Sequence, residues 1–162
     1  MMFTRRPVAG FTLIELVVTV ALVGLVATMA FQMAEMAVKR NKEQELRLVL
    51  RQIRGAIDDY RQYVKDGRIA SDPAKSGYPP TLQDLVKGVK DLSDPKGEKK
   101  LFILRRLPRD PMSTDGSIDA EATWGKRTYA SPPDAPTEGD DVFDVYSLAK
   151  GTGINGIPYS QW

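Results

Sequence analysis

The first third of the chain divides into an apolar part and an amphipathic part. Residues 16–34 form a run of 19 positions without a charge, in which nothing is more polar than Thr and Gln. That length is about what an α-helix needs to cross the hydrocarbon core of a bilayer, roughly 20 residues. The run therefore predicts a membrane-spanning helix over residues 11–37.

Beyond residue 37 the apolar positions recur every three or four residues, with charged side chains between them. Such spacing is typical of one helix face that packs against a domain. The apolar positions are Leu46, Val49, Leu50, Ile53, Ile57, Tyr60 and Val64. Because no pair of Gly or Pro interrupts the chain, we predict one continuous helix from about Phe11 to Lys65, with residues 38–66 as its amphipathic half. Two helices joined near residues 40–42 would show the same stripe.

Residues 67–162 alternate short apolar stretches with turn residues, as a small domain does. Gly67 marks the end of the long helix. A short helix is predicted after Pro79 and Pro80, with Thr81 as its N-cap. The buried side of that helix is predicted to be Leu82, Leu85 and Val86.

Two later segments, residues 124–130 and 142–149, have the composition of β-strands. The Pro-rich segment 131–139 between them is typical of a hairpin loop, so an antiparallel pair is expected. Residues 91–100 are polar and charged and are predicted to form an exposed loop. A small antiparallel sheet on the second half of the long helix is an α+β arrangement.

Composition removes most routes to catalysis. Cysteine and histidine are absent from all 162 residues, which excludes thiol nucleophiles, disulfides, Cys/His zinc sites and the commonest general base. Asp58 and Asp59 are neighbours on a helix and do not face one another, so they are predicted to be solvated. The chain shows neither a nucleophile–base pairing nor a phosphate-binding glycine loop. We predict no enzymatic activity and no catalytic residue.

The charge balance argues against a nucleic-acid partner. Lys and Arg number 23 against 21 Asp and Glu. Because Arg5 and Arg6 lie in the first ten residues, the rest of the chain carries 21 of each sign. A neutral chain without a basic face or a nucleic-acid-binding motif is predicted not to bind nucleic acid.

The start of the chain carries a specific motif. Residues 5–16 read RRPVAGFTLIEL, a short basic stretch followed by Gly, Phe and an apolar run that contains one carboxylate, Glu15. An ordinary signal peptide has an uncharged apolar core of roughly 7–15 residues and ends at a small-residue cleavage site, which fits this segment poorly. A carboxylate inside a spanning segment is costly unless it has a partner, which makes Glu15 a functional candidate. The alternative is a carboxylate that extends to the lipid headgroups.

This motif resembles the processing site of type IV prepilins. The resemblance implies that residues 1–10 are a leader, that a prepilin peptidase cleaves between Gly10 and Phe11, and that Phe11 is then N-methylated. It also implies that Glu15 pairs with the freed amine of Phe11 on a neighbouring subunit and so registers that subunit in a filament.

Later segments are similar in order and spacing to the major (G-type) pseudopilin of type II secretion systems. They are residues 77–85 (GYPPTLQDL), 105–111 (RRLPRDP), 124–125 (WG) and 144–148 (DVYSL). The resemblance implies a pilin-like fold and a single-pass inner-membrane protein whose residues 67–162 form a periplasmic domain. It implies a homopolymeric pseudopilus that drives protein export, with minor pseudopilins, a platform protein of the inner membrane and prepilin peptidase as partners. A minor pilin or type IV pilus subunit is the first alternative, and a membrane-tethered enzyme is the second.

The last residues depart from that class, which generally carries an acidic calcium-binding loop after its Tyr-Ser-Leu segment. Residues 149–162 contain no carboxylate side chain, whereas Ca²⁺ affinity depends on carboxylate ligands. We therefore predict no cofactor and no metal site. Calcium stays an alternative, and its ligands would be Asp140, Asp141, Asp144 and Asn155. Without calcium, we expect the tail to be held by burial of Ile154, Ile157, Tyr159 and Trp162.

Overall fold

The computed structural model describes residues 10–72 and 74–162. The predicted leader, apart from Gly10, lies outside the described residues. Contacts along the chain divide it into two compact units, Met1–Arg40 and Asn41–Trp162.

One α-helix, α1, occupies Leu13–Lys65. This confirms one continuous helix rather than two. Thr12 caps its start, because the Thr12 hydroxyl accepts a hydrogen bond from the backbone N–H of Glu15 at 3.3 Å. At the other end Gly67 has a φ of 69°, and the N–H of Arg68 donates to the carbonyl of Tyr63. The helix therefore ends where the sequence predicted, at a glycine in the left-handed region.

The core of the second unit is built on the amphipathic half of α1. Five of the predicted positions are buried, whereas Val49 and Val64 are half-buried at the margin. The five are Leu46, Leu50, Ile53, Ile57 and Tyr60. Leu82, Leu85, Trp124 and Val145 belong to the same buried cluster. Since burial of one large apolar side chain contributes about 1.5–3 kcal/mol, this cluster is the main stabilising feature of the unit.

The short helix after the two prolines, α2, comprises Asp84–Lys87. Leu82 and Leu85 are fully buried, as predicted. The prediction of Thr81 as N-cap was wrong. The backbone N–H and the hydroxyl of Thr81 instead donate to the carboxylate of Asp84, at 3.0 and 2.9 Å. A carboxylate accepts charge-assisted hydrogen bonds more strongly than a hydroxyl does, so Asp84 organises this turn.

Residues 91–99 form a loop that is mostly exposed, as predicted, whereas Lys100 belongs to a strand. Strands β1 (Val89–Lys90) and β2 (Lys100–Leu101) flank them and pair antiparallel. Asp91 is buried, and Arg68 donates to its carboxylate at 2.7 Å. The pKa of Asp91 is lowered to about 2. The largest cause is the hydrogen bond from the guanidinium of Arg68, and the second is the hydrogen bond from the backbone N–H of Ser93.

The second sheet pairs β3 (Trp124–Arg127) with β4 (Asp144–Ser147), also antiparallel. The predicted strand pair is confirmed, but both strands are shorter than the segments 124–130 and 142–149. The reason is that flanking backbone groups bind elsewhere: the N–H of Val142 donates to Pro79, and that of Thr128 donates to Thr137. With α1 and two small antiparallel sheets, the chain has the predicted α+β, pilin-like arrangement.

Candidate functional site

The N-terminal part of α1 presents its apolar side chains to its surroundings. Every large apolar side chain described between Phe11 and Val38 is at least half exposed. By length and composition α1 is able to cross a membrane, and the 18-residue stretch that qualifies has no buried residue. Since so much exposed apolar surface is unfavourable in water, this segment has the character of a single-pass membrane anchor.

The predicted cleavage bond lies just ahead of that helix. Gly10 and Phe11 are both exposed and both precede the first helical residue, Leu13. An exposed peptide bond outside regular secondary structure is accessible to a peptidase, whereas a bond inside a helix is held by hydrogen bonds to its neighbours. The geometry is therefore compatible with the predicted cleavage and N-methylation, which stay predictions.

Glu15 lies in the first turn of α1, in the third position after the Thr12 cap. A negative charge there interacts favourably with the helix dipole, by about 0.3–1 kcal/mol. The side chain is exposed. Among residues 10–72 and 74–162, no hydrogen bond or ion pair occupies its carboxylate. Within the described chain, the carboxylate of Glu15 is thus available to a partner from outside.

The four calcium candidates are not gathered into one site. Asp144 is engaged by two guanidinium groups, from Arg54 at 2.7 Å and Arg127 at 3.3 Å. Asp141 accepts hydrogen bonds from the hydroxyl of Thr128 at 2.6 Å and from a backbone N–H.

The other two candidates also lack metal-binding surroundings. The side-chain oxygen of Asn155 accepts the N–H of Ile157 at 3.1 Å, and Asp140 is exposed in its loop. In the part of the chain that the structure describes, no group of three or more Asp, Glu, His or Cys side chains is arranged to hold a metal ion. The arrangement of these four residues gives no support to calcium binding.

The C-terminal tail is held by burial of two aromatic side chains and by polar contacts. The prediction that Ile154 and Ile157 are buried was wrong, since they are 41% and 44% exposed. Tyr159 is buried as predicted, and Trp162 is half-buried.

Two charged residues of α1 make the polar contacts. The carboxylate of Glu43, only 5% exposed, accepts the N–H of Ile154 at 2.9 Å and the hydroxyl of Tyr159 at 3.0 Å. Arg54 donates to the backbone carbonyl of Trp162 at 2.6 Å. Sequence reasoning missed Glu43 because it looks like one more surface charge. The available signal was its spacing, because Glu43 precedes Leu46 by three residues and Leu50 by seven and so shares their buried face.

We predict that Tyr159 titrates abnormally and that Glu43 is part of the cause. Burial, and then the hydrogen bond to the Glu43 carboxylate, raise the pKa of Tyr159 to about 12. The stability contributed by the neutral phenol is fully present below pH 10, the ordinary pKa, and is lost as pH rises through about 12. In Glu43→Gln, the pKa should fall but stay above its ordinary value, because the burial remains. NMR titration of the tyrosine ring carbons measures this, and an unchanged pKa would contradict the assigned role of Glu43.

Three of the four segments that resemble the pseudopilin class meet in the interior around a buried carboxylate. The carboxylate of Asp110 accepts hydrogen bonds from the hydroxyl of Ser147 and from the backbone N–H of Met112. The backbone N–H of Asp110 donates to the hydroxyl of Thr123. The indole N–H of Trp124 donates to the carbonyl of Pro108 at 2.9 Å. Every buried side-chain N or O atom of the described residues has a partner. The segments RRLPRDP, WG and DVYSL therefore act as a structural unit that joins one irregular loop to β3 and β4.

Comparison with protein families gives one match. The family model of the prokaryotic N-terminal methylation motif matches residues 5–31, which include Gly10, Phe11, Glu15 and the first part of α1. The match supports a type IV pilin-like protein. No curated protein and no solved structure matches the chain.

Proposed function

We propose that this chain is a structural subunit of a type II secretion pseudopilus. In this proposal a prepilin peptidase cleaves it after Gly10 and methylates Phe11, and the mature subunit polymerises through α1 to drive protein export. The observation that carries the proposal is a methylation motif at the start of an exposed apolar helix, which continues without a break into the core of a folded domain.

The exposed apolar part of α1 needs two kinds of surroundings in turn. Before assembly, lipid covers it, with residues 1–10 on the cytoplasmic side and the domain in the periplasm. After assembly, the equivalent helices of other subunits cover it. Exchange of lipid for protein costs little because both are apolar, so packing and the pairing of Glu15 with the amine of Phe11 decide which state is favoured.

The pseudopilin subtype is supported by the interior of the second unit. Three of the four segments that resemble the G-type class, RRLPRDP, WG and DVYSL, meet around Asp110 and Trp124. Contacts of Glu43 and Arg54 hold the tail, so the proposal requires no calcium. A minor pilin or type IV pilus subunit would share the N-terminal motif, and copy number in isolated filaments separates these roles. Minor pseudopilins and a platform protein are the further partners of the proposal.

The first test is the mass of the processed N-terminus. When the full chain is produced together with a prepilin peptidase, we expect loss of residues 1–10 and one added methyl group on Phe11. Gly10→Val should block cleavage. Gly24→Val is the matched control, because a Cβ added at either glycine meets no atom within 4 Å. An uncut chain, or a cut near residue 30 by signal peptidase, would reject the proposal.

A further inference from the structure

Charge is unevenly distributed over the second unit. Residues 87–106, here called the basic hairpin, contain seven Lys or Arg and three acids. Residues 131–141, here called the acidic loop, contain four acids and no base. Two surfaces of opposite sign on one nearly neutral chain raise the question of what each of them contacts.

The basic hairpin concentrates positive charge that its own acids do not neutralise. Lys90 and Lys100 lie directly opposite each other in the β1–β2 ladder, and both are exposed. Like charges in that position destabilise a sheet. Asp91 is paired with Arg68 instead, and the carboxylate of Asp94 accepts three backbone N–H groups of its own turn.

The seven bases of the hairpin are all exposed: Lys87, Lys90, Lys96, Lys99, Lys100, Arg105 and Arg106. Within the described residues, none of them forms an ion pair. Two like charges that lie opposite each other, and that form no ion pair with a described residue, are what an external acidic partner would stabilise.

An aromatic ring lies on the same hairpin. Phe102 is 65% exposed, and its ring lies against Gly88, where an added Cβ would come within 2.7 Å of it. Phe102 directly follows β2, and Leu92, which lies just after β1, is also about half exposed. Protein–protein interfaces often contain a central aromatic side chain surrounded by polar residues, and Phe102 among the bases of the hairpin has that composition.

The acidic loop has a matching composition. Asp134, Glu138 and Asp140 are exposed, and among the described residues only Glu138 of these three forms an ion pair, with Lys126 at 3.8 Å. Next to the loop, Tyr129 is 55% exposed and stacks on Tyr78 with ring centroids 5.7 Å apart. The loop therefore also combines unpaired charge with an exposed aromatic ring.

We propose that the basic hairpin of one subunit docks on the acidic loop of a second copy of this chain, with Lys90 and Lys100 facing Asp134 and Asp140. The two surfaces are different, so the contact is heterologous. A heterologous contact that does not close into a ring generates an open filament. Opposite potentials steer such a contact and set its register. The inference rests on the proposed function, because it assigns a domain-to-domain contact within the same polymer.

A second copy of the chain explains both charged surfaces, whereas an anionic lipid surface explains only the basic hairpin. Lipid headgroups would neutralise the basic hairpin but would leave the acidic loop and Tyr129 without a partner. A second copy satisfies both surfaces at once and in equal numbers, since every subunit carries one of each.

The first experiment uses the absence of cysteine from the chain. Two differently tagged full chains, Lys100→Cys and Asp140→Cys, are produced together with a prepilin peptidase and treated with a short bismaleimide. We expect mixed dimers in the sheared filament fraction and little cross-linking when either variant is present alone. Ser117→Cys, at another exposed position, replaces Lys100→Cys in the control and should give few mixed dimers.

The second experiment reverses charge. Lys90→Glu with Lys100→Glu should lower filament yield about tenfold, since juxtaposed like charges cost more than the roughly 1.4 kcal/mol of one decade. Asp134→Lys with Asp140→Lys should do the same, and the chain with all four reversals should recover most of the yield. This recovery excludes misfolding as the cause.

The outcomes separate the two proposals. If filaments form but the mixed pair does not cross-link, or all four reversals fail to restore the yield, the docking proposal is wrong and the filament proposal stands. Cross-linking of the mixed pair that vanishes when anionic lipid is removed would assign the hairpin to the membrane and overturn the docking proposal too. If the unaltered, processed chain forms no filament, the proposed function fails, and the docking inference fails with it.

Discussion

Replacing Glu15 with alanine in the full chain is expected to leave cleavage and methylation of Phe11 intact but to lower the amount of sheared filament about a hundredfold. In the proposed filament, the carboxylate of Glu15 pairs with the amine of Phe11 inside an apolar layer. Loss of one partner from a buried pair costs about 3–5 kcal/mol, because the other charge stays buried and uncompensated. At roughly 1.4 kcal/mol per decade, that cost corresponds to about two to three and a half decades in the association constant, and the expected hundredfold loss is its lower end.

Two controls keep the Glu15 prediction specific. Glu35→Ala removes another exposed carboxylate from the same helix, just beyond the apolar run, and should assemble normally. The mass of the N-terminal peptide shows whether Glu15→Ala is still processed, which separates failed cleavage from failed assembly. The variant should keep α1, since the dipole interaction that it loses is only about 0.3–1 kcal/mol. Normal filament yield from Glu15→Ala would favour a carboxylate that merely extends to the headgroups.

Replacing Trp124 with alanine is the change expected to destabilise the second unit most. The indole is 1% exposed, belongs to the core cluster and donates to the carbonyl of Pro108. Truncation of a buried Trp leaves a cavity and an unsatisfied carbonyl, so the free energy of unfolding should fall by about 3–5 kcal/mol. Urea denaturation of residues 41–162 measures this, because the whole core cluster lies within that unit.

The matched variants for Trp124 are Trp124→Phe and Phe102→Ala. Trp124→Phe keeps most of the buried volume and loses the hydrogen bond, so its effect should be intermediate. Phe102→Ala removes a ring that is 65% exposed, and its effect should stay within about 0.5 kcal/mol. Equal losses from Trp124→Ala and Phe102→Ala would show that the core is not organised around the indole.

The local features of the chain were predictable because they depend on neighbours in sequence. The period of the apolar residues predicts a membrane-like half and a core-facing half, and Gly67 determines where the helical region ends. The structure then shows that the two halves form one helix. The motif from Arg5 to Leu16 is likewise a property of consecutive residues, and so is the antiparallel pairing across the Pro-rich segment 131–139.

Contacts between residues distant in sequence were decided only by the tertiary structure. The ion pair of Arg68 and Asp91 lies at the start of the predicted exposed loop, where Asp91 is buried. Glu43, 111 and 116 positions from its tail partners Ile154 and Tyr159, holds a segment that the sequence assigned to hydrophobic burial.

Asp144 illustrates why such contacts escape sequence reasoning. A carboxylate is a calcium ligand, an ion-pair partner or a solvated charge according to which groups approach it, and here Arg54 arrives from 90 positions away. Sequence by itself determined the processing motif, the fold class and the two halves of the N-terminal helical region, because hydrophobic period and turn chemistry act over a few residues. The tertiary structure alone decided the surroundings of each charge, because burial and electrostatic pairing depend on which distant segments meet.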